Sequence, residues 1–335
     1  MSNIRLGVIG AGKLGAIHVR LAKETPNAEL VGLYDLDAER AAQVAGEYGT
    51  KAFSSVAELI ASVDACCIVT PTTTHHHIAL QCLKAGVHAF IEKPIAATVE
   101  EAEEISSLAE ERGLTLQVGH VERFNPAFLT LGESRPDPLF IEAHRLAQFS
   151  PRASDVAVVL DLMIHDIDLV LALNGGEEPT EIRASGVAVV SDEIDIANAR
   201  LEFANGCTAN LTASRISRNP MRKMRLFARD SYIALDFAAP SLEFFSISDQ
   251  ESAGVEDGSL MLGAIEQGSR VRSVRYGKPE VKGLNAIAEE LRLFVETIRT
   301  GGLPAVTARE GTSALRVATM ILEDIARSQP KIDVA

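Results

Sequence analysis

Up to about residue 120 the chain alternates short β-rich runs with helical ones, and that alternation restricts this half to very few architectures. The runs IRLGVIG, AELVGLYD, DACCIVT, VHAFIEKP and LTLQVGH are separated by helical segments such as DAERAAQVAGEYG and TVEEAEEISSLAEERG. Strands separated by helices line up in parallel, with the helices on the faces of the sheet, so a doubly wound parallel sheet is predicted. Ser55 with Glu58 and Thr98 with Glu101 have the spacing of capping boxes and mark two helix starts.

Beyond residue 120 the pattern changes. VVLDLMIHDIDLVLALNGG, residues 158 to 176, is apolar nearly all round a helical wheel, yet holds Asp161, His165, Asp166 and Asp168. Asp161, His165 and Asp168 are spaced i, i+4, i+7 and share one helical face, whereas Asp166 points elsewhere. A polar stripe on a buried helix needs partners or a purpose. In DIANARLEFANGCTANLTASRIS the odd positions from Ala197 to Phe203 and from Cys207 to Ala213 are apolar, and Asn205-Gly206 between them makes a hairpin turn. One face of that antiparallel sheet is packed; the other is solvated or used for oligomer contact. Residues 284 to 328 return to helix. With 335 residues and 47% hydrophobic composition the chain can form two cores, so we expect one domain over 1–120 and a second, α+β domain with an open, mainly antiparallel sheet over 121–335.

The net charge of −14 argues against nucleic acid or an anionic membrane as partner, since both rest on a positive field. Cys66, Cys67, Cys82 and Cys207 have neither metal-ligand nor disulfide-framework spacing and read as buried thiols in a reducing, cytoplasmic compartment. The N-terminus enters a strand at once, and no apolar run reaches the length of a membrane span. His75, His76 and His77 are adjacent on a helix start and point in different directions, so no metal site is expected.

GVIGAGKLG places Gly10, Gly12 and Gly15, with Lys13 and Leu14 between the last two, after the first strand and at the start of a helix. Such a turn lets backbone N–H groups and the helix N-terminus approach a pyrophosphate. Asp35 ends the second strand, where a carboxylate can accept from both ribose hydroxyls. Asp35 and Asp37 would repel a 2′-phosphate, and no arginine follows Asp35 directly, so NAD is expected rather than NADP. Lys93, in FIEKPIA, ends a strand where ligands of open α/β sheets collect, and could polarise a substrate oxygen.

Taken together, GVIGAGKLG, TPTTTHHHIALQCLKAGVHAFIEKP and LDLMIHDIDLVLALNG resemble the Gfo/Idh/MocA oxidoreductase family over the whole chain, the last segment being a form of its D-x-x-x-H-x-x-D helix. The resemblance implies an N-terminal Rossmann domain, a C-terminal domain with an open sheet, and hydride transfer between a nicotinamide cofactor and a sugar or polyol carbon. It makes Lys93, Asp161 and His165 the catalytic set, with the polar stripe facing the cofactor. It puts Thr70, Pro71, Thr72, His75, Glu92 and Lys93 at cofactor-lining positions, and Arg123 near the nicotinamide; Thr72 departs from the Asn of many relatives. His165 then suits the general base and Asp161 its orienting partner, with Lys93 stabilising charge on oxygen, or Lys93 and His165 exchange roles.

SRISRNPMRKMRLFAR concentrates Arg215, Arg218, Arg222, Lys223, Arg225 and Arg229 without an acidic residue. The segment is either a charge-guarded sheet edge or an anion-binding rim. Arg215 shares the packed parity of Leu211 and Ala213, and Arg145 that of Ile141 and Ala143, so both should point inward, as phosphate-binding arginines would. Within the family, VGHVERFNPAF and the D-x-x-x-H-x-x-D helix most resemble the branch that oxidises UDP-N-acetylglucosamine at C3, whose 3-keto product a PLP-dependent aminotransferase could aminate. A free sugar or inositol dehydrogenase would need no diphosphate site, and a non-catalytic NAD-responsive regulator would need no base. A homodimer or homotetramer through the open sheet face is expected.

Overall fold

The computed structural model describes residues 2–132, 136–149, 156–249, 259–267 and 270–328. The chain divides into two compact units, one running to Phe124 and including Asn285–Arg316, the other formed by Asn125–Leu284 and the chain from Val317. The helical return does not follow the sequence order: most of it, Asn285–Arg316, belongs to the first unit.

In the first unit, strands β1 (Ile4–Ile9), β2 (Ala28–Tyr34), β3 (Lys51–Ala52), β4 (Ala65–Ile68), β5 (His88–Glu92) and β6 (Leu116–Gly119) form a parallel sheet in the order β3-β2-β1-β4-β5-β6. The order reverses at β1 and β4, which is where open sheets of this kind collect ligands at the carboxyl ends of their strands. β4, sequence ACCI, is buried at all four positions, and a central strand covered on both faces has to be apolar throughout. Cys66, Cys67, Cys82 and Cys207 are free and buried.

Helices α1 (Lys13–Glu24), α2 (Ala38–Tyr48), α3 (Val56–Ile60), α4 (His75–Lys84) and α5 (Val99–Arg112) connect the strands. Ser55 and Thr98 accept from the N–H groups of Glu58 and Glu101, as a capping box requires. The returning carboxylates reach one residue further out, to Ser54 and Ala97.

The second unit opens with α6 (Pro126–Leu129) and β7 (Phe140–Leu146). A π turn over Val159–Met163 leads into α7 (Ile164–Leu173). Strands β8 (Glu181–Val187), β9 (Ile196–Glu202), β10 (Thr208–Ser214), β11 (Met221–Phe227), β12 (Ser231–Asp236), β13 (Ser241–Ser248), β14 (Leu260–Gln267) and β15 (Arg270–Gly277) join β7 in a nine-stranded sheet, ordered β14-β15-β13-β12-β11-β7-β10-β9-β8. Among the described residues of this sheet only the β7–β10 pair is parallel.

β9 and β10 turn at Gly206, whose φ of +87° a side chain would oppose, and outside that turn the odd positions from Ala197 to Ala213 are buried as the alternation implied. Two helices follow the sheet, α8 (Ala286–Thr300), stopped by Gly301 at φ +72°, and α9 (Ala308–Ser328). Among the described residues no helix is long and apolar enough to cross a membrane.

Candidate active site

The glycine turn is built by close contacts. Gly10 has φ +104°, and a Cβ on it would lie 2.2 Å from the carbonyl oxygen of Val69. A Cβ on Gly15 would lie 2.1 Å from the carbonyl oxygen of Gly10, so α1 packs against the turn only because both residues lack side chains. Gly12 is different: a Cβ there would meet nothing within 4 Å. No protein atom requires glycine at that position, whereas a phosphate brought against the turn would. Gly12 is also the N-cap of α1 and gives it no side-chain cap, and Gly12, Lys13 and Leu14 are exposed. The start of α1 is therefore suited to an anionic pyrophosphate.

Asp35 stands beside this turn. Its Oδ2 accepts the Ala11 N–H at 2.6 Å, and its Oδ1 accepts the Asp37 N–H at 2.8 Å and Arg40 Nη2 at 2.6 Å. Burial pushes the carboxyl up, but the bonds from Arg40, Ala11 and Asp37 outweigh it and hold Asp35 below the usual carboxylate range. Arg40 was not foreseen from the sequence. The signal was there: Asp37 caps α2 through the Arg40 N–H, so the first turn of α2 carries the arginine back to Asp35.

At the end of β5, Glu92 Oε1 lies 2.9 Å from His18 Nε2, while Glu92 Oε2 accepts the Lys93 N–H at 3.3 Å. The Lys93–Pro94 peptide is cis, and the Lys93 side chain is half-buried. His75 is buried, with Nδ1 2.9 Å from the Pro94 carbonyl and Nε2 2.8 Å from the Thr70 carbonyl. Burial pushes its pKa down against the pull of those carbonyls, so a neutral ring donates to one of them at a time. His75 thus acts on the expected cofactor-lining segment from behind, tying Thr70 to Pro94. Thr70 and Thr74 join hydroxyls at 2.7 Å, and Pro71 and Thr72 open a short 3-10 turn. Arg123 donates to Glu310 at 3.2 Å.

Of the three histidines, His76 pairs with Glu104 at 2.8 Å and His77 is exposed. Among the described residues no group of three or more histidine, cysteine or carboxylate side chains has the geometry to hold a metal.

On the second unit, Asp161 lies in the π turn and His165 in the first turn of α7; both are half-buried, whereas Asp166 and Asp168 are buried. The π turn widens the helix between Asp161 and His165, so α-helical register holds from His165 to Asp168 but not back to Asp161. Such turns recur at functional sites.

The two inward arginines need correction. Arg145 and Arg215 do point into the packed side, as their parity implied, but their ligands are carboxylates of this chain. Arg145 is bidentate to Asp166, and Arg215 donates to Asp195 at 2.8 Å, to the Val156 carbonyl at 2.6 Å and to the Ile194 carbonyl at 3.1 Å. Each arginine is 3% exposed, so neither presents a guanidinium to a phosphate. The basic segment is sorted by the pleat. Lys223 and Arg225 pair with Asp236 and Glu142 on the open face. Arg222 lies opposite Arg145 in register, shares the packed-face parity of Met224 and Leu226, and is exposed at the strand start.

A glycine turn with room for a phosphate at Gly12, a carboxylate beside it at Asp35, and a lysine at the end of the fifth parallel strand define a dinucleotide-binding oxidoreductase. Residues 4–120 match the oxidoreductase family with an NAD-binding Rossmann fold, and residues 130–233 match the Gfo/Idh/MocA C-terminal domain. The chain belongs to the Gfo/Idh/MocA oxidoreductase family. It is 46% identical over 246 residues to the UDP-N-acetylglucosamine 3-dehydrogenase of Acidithiobacillus ferrooxidans, covering 73% of this chain and 78% of that one. A solved structure of that A. ferrooxidans enzyme superposes with a TM-score of 0.87 and 38% identity over 98% of this chain and 99% of the other. The myo-inositol 2-dehydrogenase of Thermotoga maritima is 27% identical over 330 residues, 93% of each chain.

Proposed function

We propose that this protein is an NAD-dependent dehydrogenase that oxidises UDP-N-acetylglucosamine at C3 to a 3-keto sugar nucleotide. The observation that carries the reading is the whole-chain likeness to the A. ferrooxidans enzyme, far above that to the inositol dehydrogenase. Gly10, Gly12, Lys13, Leu14 and Gly15 would hold the pyrophosphate and Asp35 the adenosine ribose, while Thr70, Pro71, Thr72, Glu92 and Arg123 would line the rest of the cofactor. Asp35 and Asp37 favour a ribose with free hydroxyls; Arg40 is already neutralised by Asp35, which supports NAD over NADP.

The bound nicotinamide supplies a hydride acceptor. As the carbon gives up its hydride, the proton has to leave the oxygen bonded to it so that C=O forms, and His165 is the base that takes it. Asp161 orients its ring, and Lys93, as the ammonium, stabilises negative charge growing on the oxygen. A 3-keto sugar nucleotide is the type of carbonyl that a PLP-dependent aminotransferase consumes, and such an enzyme is the metabolic partner this reading implies. Arg222, exposed at the start of β11 and in register with Arg145, is the cation we assign to the diphosphate.

The open sheet face is assigned to a second copy of this chain. Phe140, Phe227, Tyr232, Phe245 and Tyr276 stand in register on five neighbouring strands, with ring centroids 5.0 to 6.1 Å apart. The Arg225–Glu142 and Lys223–Asp236 pairs beside them carry both signs of charge, as a self-complementary face requires. Sedimentation of Phe245→Glu tests this: a shift toward monomer supports it, and an unchanged profile removes it.

The function is tested by incubating the enzyme with NAD and UDP-N-acetylglucosamine over a carbonyl trap and locating the oxidised carbon by NMR. A 3-keto product supports the reading; turnover of a free polyol with no response to any UDP-sugar replaces it with an inositol-type dehydrogenase.

A further inference from the structure

We propose that His18 is a positioning residue for Lys93, acting through Glu92. His18 lies in the second turn of α1, the helix that the glycine loop opens, and is wholly buried. Its ring packs against Phe90 of β5 at 5.4 Å between centroids. Its Nε2 meets Glu92 Oε1 at 2.9 Å, and the other oxygen of the same carboxylate takes the Lys93 N–H. One carboxylate therefore joins the cofactor-loop helix to the backbone of Lys93.

Burial sets which ring nitrogen makes the bond. His18 Nδ1 has no hydrogen-bond partner among the described residues. A buried N–H left without an acceptor is costly, and a doubly protonated ring would strand one at Nδ1. Nε2 is thus the ring nitrogen whose N–H is placed to reach Glu92 Oε1. The carboxylate has little room to turn elsewhere: a Cβ on Gly119 would lie 3.0 Å from Glu92 Cδ and Oε2, so β6 closes in on it from the far side. The Glu92 carboxylate also acts on Cys67 of β4 and His75 of α4, and Glu290 of α8 acts on Cys67 as well.

Only the kinetic arm of the test rests on the dehydrogenase reading; the other arm needs no substrate. In the full-length protein, His18→Leu removes the donor at similar volume, whereas His18→Gln keeps an amide N–H that can reach Glu92. With NAD and UDP-N-acetylglucosamine, His18→Leu should lower kcat by about 10- to 100-fold, the cost of a small misplacement of a reacting group, and should move the pH profile of kcat while NAD affinity stays within a few-fold. His18→Gln should recover most of the loss. Without substrate, NMR of ¹³C-dimethylated lysines, with Lys93 assigned by its absence in Lys93→Arg, should show a titration midpoint for Lys93 that moves in His18→Leu and returns in His18→Gln.

Coincident Lys93 midpoints in the native protein and His18→Leu would overturn the proposal, as would equal losses of kcat in the two variants with an unmoved pH profile. If wild type turns over neither sugar nucleotide nor polyol, the functional reading fails and the NMR arm still decides. Should His18→Leu not fold, the cycle of His18→Met with Glu92→Gln replaces it: coupled shifts of the Lys93 midpoint support the link, and independent ones overturn it.

Discussion

Arg145 donates from Nε and Nη2 to the two carboxylate oxygens of Asp166 at 2.9 and 2.8 Å, with both side chains almost wholly buried. Removing one member of such a pair strands the other charge, at a cost of about 3 to 5 kcal/mol, whereas replacing both by apolar groups is often neutral. Arg145→Ala should therefore lose stability in urea unfolding by that amount, and Arg145→Met with Asp166→Leu should recover most of it. A stable Arg145→Ala that has lost only sugar-nucleotide affinity would return Arg145 to the substrate.

The pair of Arg215 and Asp195 makes a pH-dependent contribution. Burial pushes the Asp195 carboxyl up, but the N–H groups of Val190 and Val189, the Ser191 hydroxyl and Arg215 outweigh it and hold it far below the usual carboxylate range. A carboxyl depressed on folding stabilises fully above its unfolded value of about 4 and loses that contribution as pH falls toward the folded value. Wild type should thus lose stability below about pH 4, and Asp195→Asn should be less stable at neutral pH with a flatter acid limb. Parallel acid limbs for the two proteins would contradict this.

These pairs show where the sequence was legible. Alternation fixed which way Arg145 and Arg215 point, because the pleat is local. It could not name their partners, since Asp166 and Asp195 reach them through tertiary packing. The parallel sheet, the glycine turn and Asp35 were readable for the same local reason. Arg40 is not adjacent to Asp35 in sequence and reaches it only because the first turn of α2 carries its side chain back. The π turn at Asp161 left no trace in a pattern read at 100° per residue. The unit boundary was half legible: periodicity revealed α8 and α9 but not the sheet against which α8 packs.

Cofactor preference should follow Asp35. NADH should bind much more tightly than NADPH by titration of nicotinamide fluorescence, a clean signal in a chain without tryptophan. Asp35→Ser should narrow the gap, because it removes the ribose acceptor and frees Arg40 for a 2′-phosphate. Arg40→Ala should widen it by leaving Asp35 and Asp37 unneutralised. Equal affinities in wild type would remove the argument from Asp35.

The division of labour between His165 and Lys93 is separable by single-turnover kinetics. His165→Asn should leave NAD affinity nearly intact and slow hydride transfer by about two to four orders of magnitude, the usual range for acid–base catalysis. Lys93→Met should abolish turnover and weaken substrate binding as well. Near-normal hydride transfer in His165→Asn would make Lys93 the proton acceptor.

Arg222 carries the substrate prediction. It stands opposite Arg145 in register, on the same side of the sheet, and unlike Arg145 it is exposed. A sugar nucleotide brings two phosphate charges to the site, an inositol none, so the contribution of Arg222 should depend on the substrate. Arg222→Ala removes a charge-assisted contact of about 1.5 to 3 kcal/mol, which raises KM for UDP-N-acetylglucosamine by roughly one to two orders of magnitude and leaves NAD affinity unchanged. Lys223→Ala, on the open face beside Asp236, is the matched control and should change neither. Arg222→Lys should recover only part of the loss, because an ammonium cannot reproduce the bidentate fork. Equal KM values for Arg222→Ala and Lys223→Ala would show that the diphosphate is held elsewhere.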